Sequence, residues 1–285
     1  MRGRLIAAAL FAATAIVPAE AQTAAGPHEV AYGGDRLQRL DLYAPRGGSA
    51  PAPLFVFVHG GGWRQGDKGN ATGPEKVAHF TGRGFAFASV NYRLVPGAKV
   101  EDQAQDIADA VGYLVRHART LGIDAGRIVL AGHSAGAHLS ALVATDPEYL
   151  KRAGVRLDQL DGVLLLDGAA YDVPAQRQEG PRIMQRVYAQ AFGDDPARQR
   201  ALSPTLQAAA PNAPAFLILH VDRADGARQS DALGAALRRA GAEVTVEAIE
   251  GRGLRGHMAI NRSLGDAEYP ATAIVDRWID GVIRR

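Results

Sequence analysis

Two glycine-framed segments constrain this chain more than anything else in it. His59-Gly60-Gly61-Gly62-Trp63 follows the apolar run Leu54-Phe55-Val56-Phe57-Val58, and Gly132-His133-Ser134-Ala135-Gly136 follows Arg127-Ile128-Val129-Leu130-Ala131. Short apolar runs that end in glycine are strands stopping at sharp turns. In the second segment the glycines flanking Ser134 permit a strand-to-helix turn that a Cβ would obstruct, and the stretch from Ala135 to Thr145 that follows reads as a helix. In the first, consecutive glycines let backbone N–H groups approach a developing negative charge without side chains intervening. A serine raised on an elbow beside a donor-rich loop points to acyl transfer through a serine nucleophile.

The rest of the pattern builds a frame for these turns. Strands are expected near 28–32, 37–43, 54–58, 85–91, 127–131, 162–166, 215–220 and 243–249, with helical patterns between them. Phe55 to Val58, Val163 to Leu166 and Phe216 to Leu219 are apolar at every position, as when helices cover both faces of a parallel sheet. The expected fold class is therefore α/β: a mostly parallel eight-stranded sheet with an antiparallel hairpin at the start and helices on both faces. Residues 101–120 read as a sheet-covering helix with Ile107, Val111, Leu114 and Val115 inward and Asp102, Asp106, Asp109 and Arg116 on the wet side. The interval from Gly168 to Pro211 is the longest between strands, with Ile183, Val187, Tyr188 and Ala191 at helical spacing; it is either a small lid or a peripheral helix packed on the core.

At 285 residues and 47% hydrophobic content the chain can bury one large core, so a single catalytic domain over 22–285 is expected. The formal charge is +2 and no dense basic run occurs, which argues against a nucleic-acid partner. Arg2 and Arg4, the apolar stretch Leu5 to Val17 and Ala19-Glu20-Ala21 have the form of a secretory signal cleaved before Gln22, so residues 1–21 are expected to be removed and the protein to be periplasmic or secreted, without stable membrane insertion. There is no cysteine and no H-E-x-x-H motif, and no cofactor or metal is expected.

A serine hydroxyl needs a base, and of the eight histidines His257 is best placed: it follows the last strand, on a glycine-rich stretch, Gly251 to Gly256, that can carry an imidazole over the sheet edge. His133 and His138 flank the nucleophile and are expected to pack locally. The acid that orients the base is expected after the strand ending near His220. Asp225 is preferred there over Asp222, which sits close enough to the strand to serve a local turn, with Asp167 as a third candidate. Gly61, Gly62 and Ala135 are the expected oxyanion donors. Trp63, His133 and Tyr171 are pocket candidates, Trp63 equally readable as a core aromatic. Arg93 is expected to pair with Asp106 or Asp109 for structure.

His59-Gly60-Gly61-Gly62-Trp63 with Gly66-Asp67-Lys68, Asn91-Tyr92-Arg93-Leu94, Gly132 to Leu139, Asp167 to Asp172 and Gly256 to Asn261 together resemble the α/β-hydrolase superfamily, specifically bacterial esterases of the hormone-sensitive-lipase, feruloyl, acetylxylan and kynurenine-formamidase kinds. The resemblance implies Ser134 as nucleophile, His257 as base and an acid between Asp222 and Asp225, acting on a small-molecule ester. Val221 departs from it, standing where relatives often carry glycine. An arylformamidase-like amidase would use the same machinery. A non-catalytic binding module of this fold is expected to lose the nucleophile or the base, and both are present.

Overall fold

A computed structural model describes residues 26–47, 51–69, 72–209 and 211–283. The expected signal segment 1–21 lies outside them. Eight strands form one sheet: β1 (His28–Ala31), β2 (Arg39–Tyr43), β3 (Ala52–Val58), β4 (Ala86–Val90), β5 (Ile123–His133), β6 (Leu160–Leu166), β7 (Ala215–Asp222) and β8 (Glu243–Arg252), in the order β1-β2-β4-β3-β5-β6-β7-β8. β1 and β2 form the antiparallel hairpin, β2 also runs antiparallel to β4, and every pair from β4 to β8 is parallel.

The helices are α1 (Pro74–Gly82), α2 (Val100–Arg116), α3 (Ala118–Leu121), α4 (Ala135–Thr145), α5 (Pro147–Arg152), α6 (Val173–Glu179), α7 (Gln185–Phe192), α8 (Pro196–Ala201), α9 (Pro204–Gln207), α10 (Ala224–Arg239), α11 (Gly253–Arg262) and α12 (Pro270–Ile283). They divide between the two faces. Leu54, Val56 and Val58 of β3 pack with Ile107 and Val111 of α2, Leu139 and Leu142 of α4, and Leu233 of α10. Phe55 and Phe57, alternating with them, pack with Phe80 of α1, Ile260 of α11 and Val275 and Ile279 of α12. This period-2 division within an all-apolar strand is what covering both faces demands. On the second face the rings of Phe55 and Phe80 stack at 4.0 Å. Truncating a fully buried side chain of this size costs about 3–5 kcal/mol.

The helix expected over 101–120 ends at Arg116, and the chain kinks at His117 before α3. Asp106 does not face water as its place in the pattern suggested. It is fully buried, accepts hydrogen bonds from Arg93 Nε and Nη2 and from the Arg93 backbone N–H, and takes a fourth donor from Gln38. The pairing with Arg93 draws the carboxylate inward, because a buried charge is tolerable only when paired and hydrogen-bonded.

Candidate active site

Ser134 stands between β5 and α4 with φ 55° and ψ −120°, a left-handed conformation that costs a non-glycine residue about 1–3 kcal/mol. Its neighbours enforce it. The Ser134 N–H donates to Leu166 O of the adjoining strand at 3.0 Å, and the His138 N–H donates to Ser134 O at 3.2 Å. A Cβ on Gly132 would stand 2.3 Å from Gly136 O, and one on Gly136 would stand 2.2 Å from Val58 O. The two glycines of the motif are therefore close-approach positions, one letting the helix fold back on its strand and the other letting it seat on β3. Ala135 opens α4, so its N–H has no intrahelical acceptor and is aimed with the positive end of the helix at the serine.

The first glycine segment lies against this elbow. A Cβ on Gly60 would come within 2.9 Å of Ser134 Cβ, and Gly61, at φ 122°, folds so that its carbonyl accepts from the N–H groups of Arg64 and Gln65. His59 donates from Nδ1 to Gly60 O at 2.7 Å and stacks on Tyr92, whose hydroxyl donates to His59 O at 2.9 Å. Burial lowers the pKa of His59. Behind the loop, Lys68 pairs with Asp41 and Glu29, and Asn91 donates to Asp67.

Trp63 is 1% exposed. Its indole N–H donates to His138 Nδ1 at 3.2 Å, and His138 Nε2–H donates to Leu202 O at 2.9 Å. Burial pushes the His138 pKa down to about 4, so the ring is neutral and its single proton sits on Nε2. Phe192 and Tyr188 of α7 pack edge-on to Trp63 at 4.8 and 6.1 Å. Of the expected pocket residues, Trp63, His133 and Tyr171 are thus all buried. Trp63 is a core aromatic. Tyr171 packs against Gly168, where a Cβ would lie 2.1 Å from its hydroxyl. The residue over the oxyanion loop is one the sequence placed only on a helix face: Val187 of α7, 3.0 Å from where a Gly62 Cβ would be.

His257 lies within α11 rather than on a loop. The glycines before it are packed instead of slack: a Cβ on Gly256 would stand 2.7 Å from Gly251 C, and the helix begins at Gly253. The His257 Nδ1–H donates to Asp167 Oδ2 at 2.6 Å, with the carboxylate fully buried. Asp167 Oδ1 accepts from the Val221 N–H at 3.2 Å, and Arg223 Nε lies 3.0 Å from Oδ2.

The preferred carboxylate, Asp225, does not reach His257. Asp225 is not on a loop, because β7 runs on through Asp222 and α10 starts at Ala224; the carboxylate sits in the first turn of that helix and accepts from Gln176 at 3.2 Å. Asp222 is exposed and pairs with Arg252. The third candidate, Asp167, meets the histidine, and strand register explains why. His133 pairs with Leu166 and Leu166 with Leu219, so Ser134 and Asp167 leave adjacent parallel strands at one level. An acid one residue past an all-apolar run and followed by glycine was the signal. With Nδ1 committed to Asp167, Nε2 is the nitrogen left to exchange protons with substrate or nucleophile. His133 lies behind the base, its ring 4.4 Å from that of His257 and its Nε2–H donating to His257 O at 2.9 Å. Burial, reinforced by His257, holds its pKa well below the usual range, so it stays neutral.

A doubly wound sheet carrying a serine elbow, a glycine-rich loop against it, and a histidine helix beyond the last strand defines an α/β-hydrolase. The chain belongs to the BD-FAE family, whose model matches residues 40–237. It is 31% identical over 204 residues to esterase LipC of Mycobacterium tuberculosis, covering 68% of this chain and 50% of that one. It is 33% identical over 125 residues to a probable isoprenylcysteine alpha-carbonyl methylesterase of Arabidopsis thaliana, covering 44% and 26%. The chain thus spans between about a quarter and a half of these curated relatives. Esterase B of Lactobacillus rhamnosis superposes with a TM-score of 0.74 at 23% identity, over 90% of this chain and 85% of that one.

Proposed function

We propose that the protein is a serine hydrolase of small carboxylic esters, with Ser134 as nucleophile, His257 as general base and Asp167 as the acid that orients it. The observation that carries this reading is the 2.6 Å hydrogen bond from His257 to a fully buried Asp167 at the strand end beside Ser134. Ser134 Oγ attacks the ester carbonyl while His257 Nε2 takes its proton, and Asp167 stabilises the imidazolium so formed. The N–H groups of Ala135, Gly61 and Gly62 receive the tetrahedral oxyanion, each such donor being worth roughly a hundred- to a thousandfold in kcat. His257 returns the proton to the departing alcohol, and a water, deprotonated by the same nitrogen, releases the acid from the acyl-enzyme. Relatives named methylesterase or esterase match at 33% and 31% identity, against 29% for a kynurenine formamidase of Drosophila melanogaster, and this ordering supports ester over formamide cleavage. Purified mature protein would be assayed on p-nitrophenyl esters of increasing acyl length beside methyl ferulate, acetylated xylan and N-formylkynurenine. Ester turnover that disappears in Ser134→Ala supports the reading, and turnover of the formamide alone replaces it with the amidase. The leader-like start further supports export, which N-terminal sequencing of periplasmic protein tests: Gln22 is the expected first residue.

A further inference from the structure

Lys76 is a fully buried lysine on α1, on the side of the sheet opposite α4, and the catalytic steps above make no use of it. Its amino group donates to Asn261 O, donates to Asn261 Oδ1 at 3.1 Å, and lies 4.9 Å from the ring centre of Phe57 on β3. Asn261 is one helical turn beyond His257 on α11, and both are buried. The α1–α11 junction is tight: a Cβ on Gly265, just past α11, would stand 2.5 Å from Glu75 O and 2.9 Å from Lys76 N. The histidine helix is therefore held by side-chain donors on two backbone carbonyls one turn apart, His257 O by His133 and Asn261 O by Lys76. His133 immediately precedes the nucleophile, and Phe57 sits on the strand that leads into the oxyanion loop.

We propose that Lys76 is a positioning residue for His257, fixing the height of α11 against β3 and β5 so that the imidazole keeps its place over Ser134. The inference rests on the Ser134–His257–Asp167 reading above. Asp167 fixes the direction of the ring, but one hydrogen bond to Nδ1 leaves the helix able to slide or tilt around it. Lys76 and His133 remove that freedom from the backbone side. An amine serves in either protonation state, since NH3+ and NH2 both donate. Burial pushes its pKa down to about 7, so the group is a costly choice if packing were its only purpose, a buried amine being harder to desolvate than an apolar side chain of similar volume.

That contrast makes the test. In Lys76→Met the relief from burying an amine offsets the loss of a donor to Asn261, so the thermal midpoint is expected to move by no more than a few degrees, KM to stay within about twofold, and kcat to fall roughly ten- to a hundredfold, the scale of a small misplacement of a catalytic group. The downfield proton resonance of the His257 Nδ1–H···Asp167 bond should shift or broaden. Lys76→Gln, which restores a donor on a shorter stem, should recover part of kcat. A folded Lys76→Met with wild-type kcat and an unmoved resonance overturns the proposal. So does failure of both variants to fold, which would make the lysine structural. Fluorophosphonate labelling of wild type, lost in Ser134→Ala, is run alongside; if that labelling fails, it is the serine reading that falls.

Discussion

The two halves of the site are built by different means. On one side, β3, β5 and α4 set Ser134 and the glycine loop beside it chiefly by close backbone approach. Gly132 and Gly136 are in contact with backbone atoms where no Cβ fits, and Ser134 is held in a left-handed conformation by its strand neighbour. On the other side, the acid and base are assembled from β6, β7 and α11 by side-chain hydrogen bonds between residues far apart in sequence, Asp167 and His257 being separated by 90 positions. A site half made by local sterics tolerates almost no change in residue type at its glycines. In a half made by long-range pairing the partner is set by strand register, which brings Asp167, just past β6, to His257 where the resemblance implies an acid after β7.

Mutations that strike each half separately should sharpen the contrast. Ser134→Ala should abolish turnover, leaving at most a residual some thousand- to ten-thousandfold above water, while circular dichroism stays native. Asp167→Asn should lower kcat about ten-thousandfold with little change in KM, because the amide favours the wrong tautomer of His257. A near-normal Asp167→Asn beside a crippled Asp225→Asn would return the acid to α10 and break the comparison. Gly136→Ala should act on folding more than on chemistry: forcing a Cβ against the Val58 carbonyl is expected to cost about 1–3 kcal/mol of stability, read from urea midpoints. Arg223→Gln, which removes the cation beside Asp167 and leaves the Val221 donor, should cost about tenfold in kcat/KM, the loss of one charge-assisted contact. Asp225→Asn and Asp222→Asn should stay within about threefold of wild type, surface and rim charges being weakly coupled to the reaction.

What could be read from the sequence follows the same division. The eight strands, the helix Ala135–Thr145 and the sharp turn at Ser134 all follow from apolar runs and glycine positions, which report on nearby backbone. Asp225 stands away from His257 because the extent of β7 and the start of α10 depend on pairing with β8, which carries the strand on to Asp222 opposite Arg252. Reading Gly251 to Gly256 as slack failed similarly: glycine signals either freedom or close approach, and here Gly251 and Gly256 touch. Asp106 was misplaced by helical periodicity because its partner, Arg93, lies off the helix. Lys76, beside Glu75 on a short helix of mixed polarity, carried no local sign of what it reaches.

The chain Trp63 N–H to His138 to Leu202 O, with Phe192 and Tyr188 against the indole, ties the donor loop, the nucleophile helix and the 168–211 segment into one packed unit. Swinging that segment aside as a hinged cover would strip a tryptophan, a phenylalanine and a tyrosine of their packing and leave the Nε2–H of His138 without its acceptor. For anyone re-engineering substrate range, the consequence is practical. Grafting a different segment here from a relative would disturb the donor loop as well, so changes of specificity are better sought through single side chains such as Val187, which stands over Gly62.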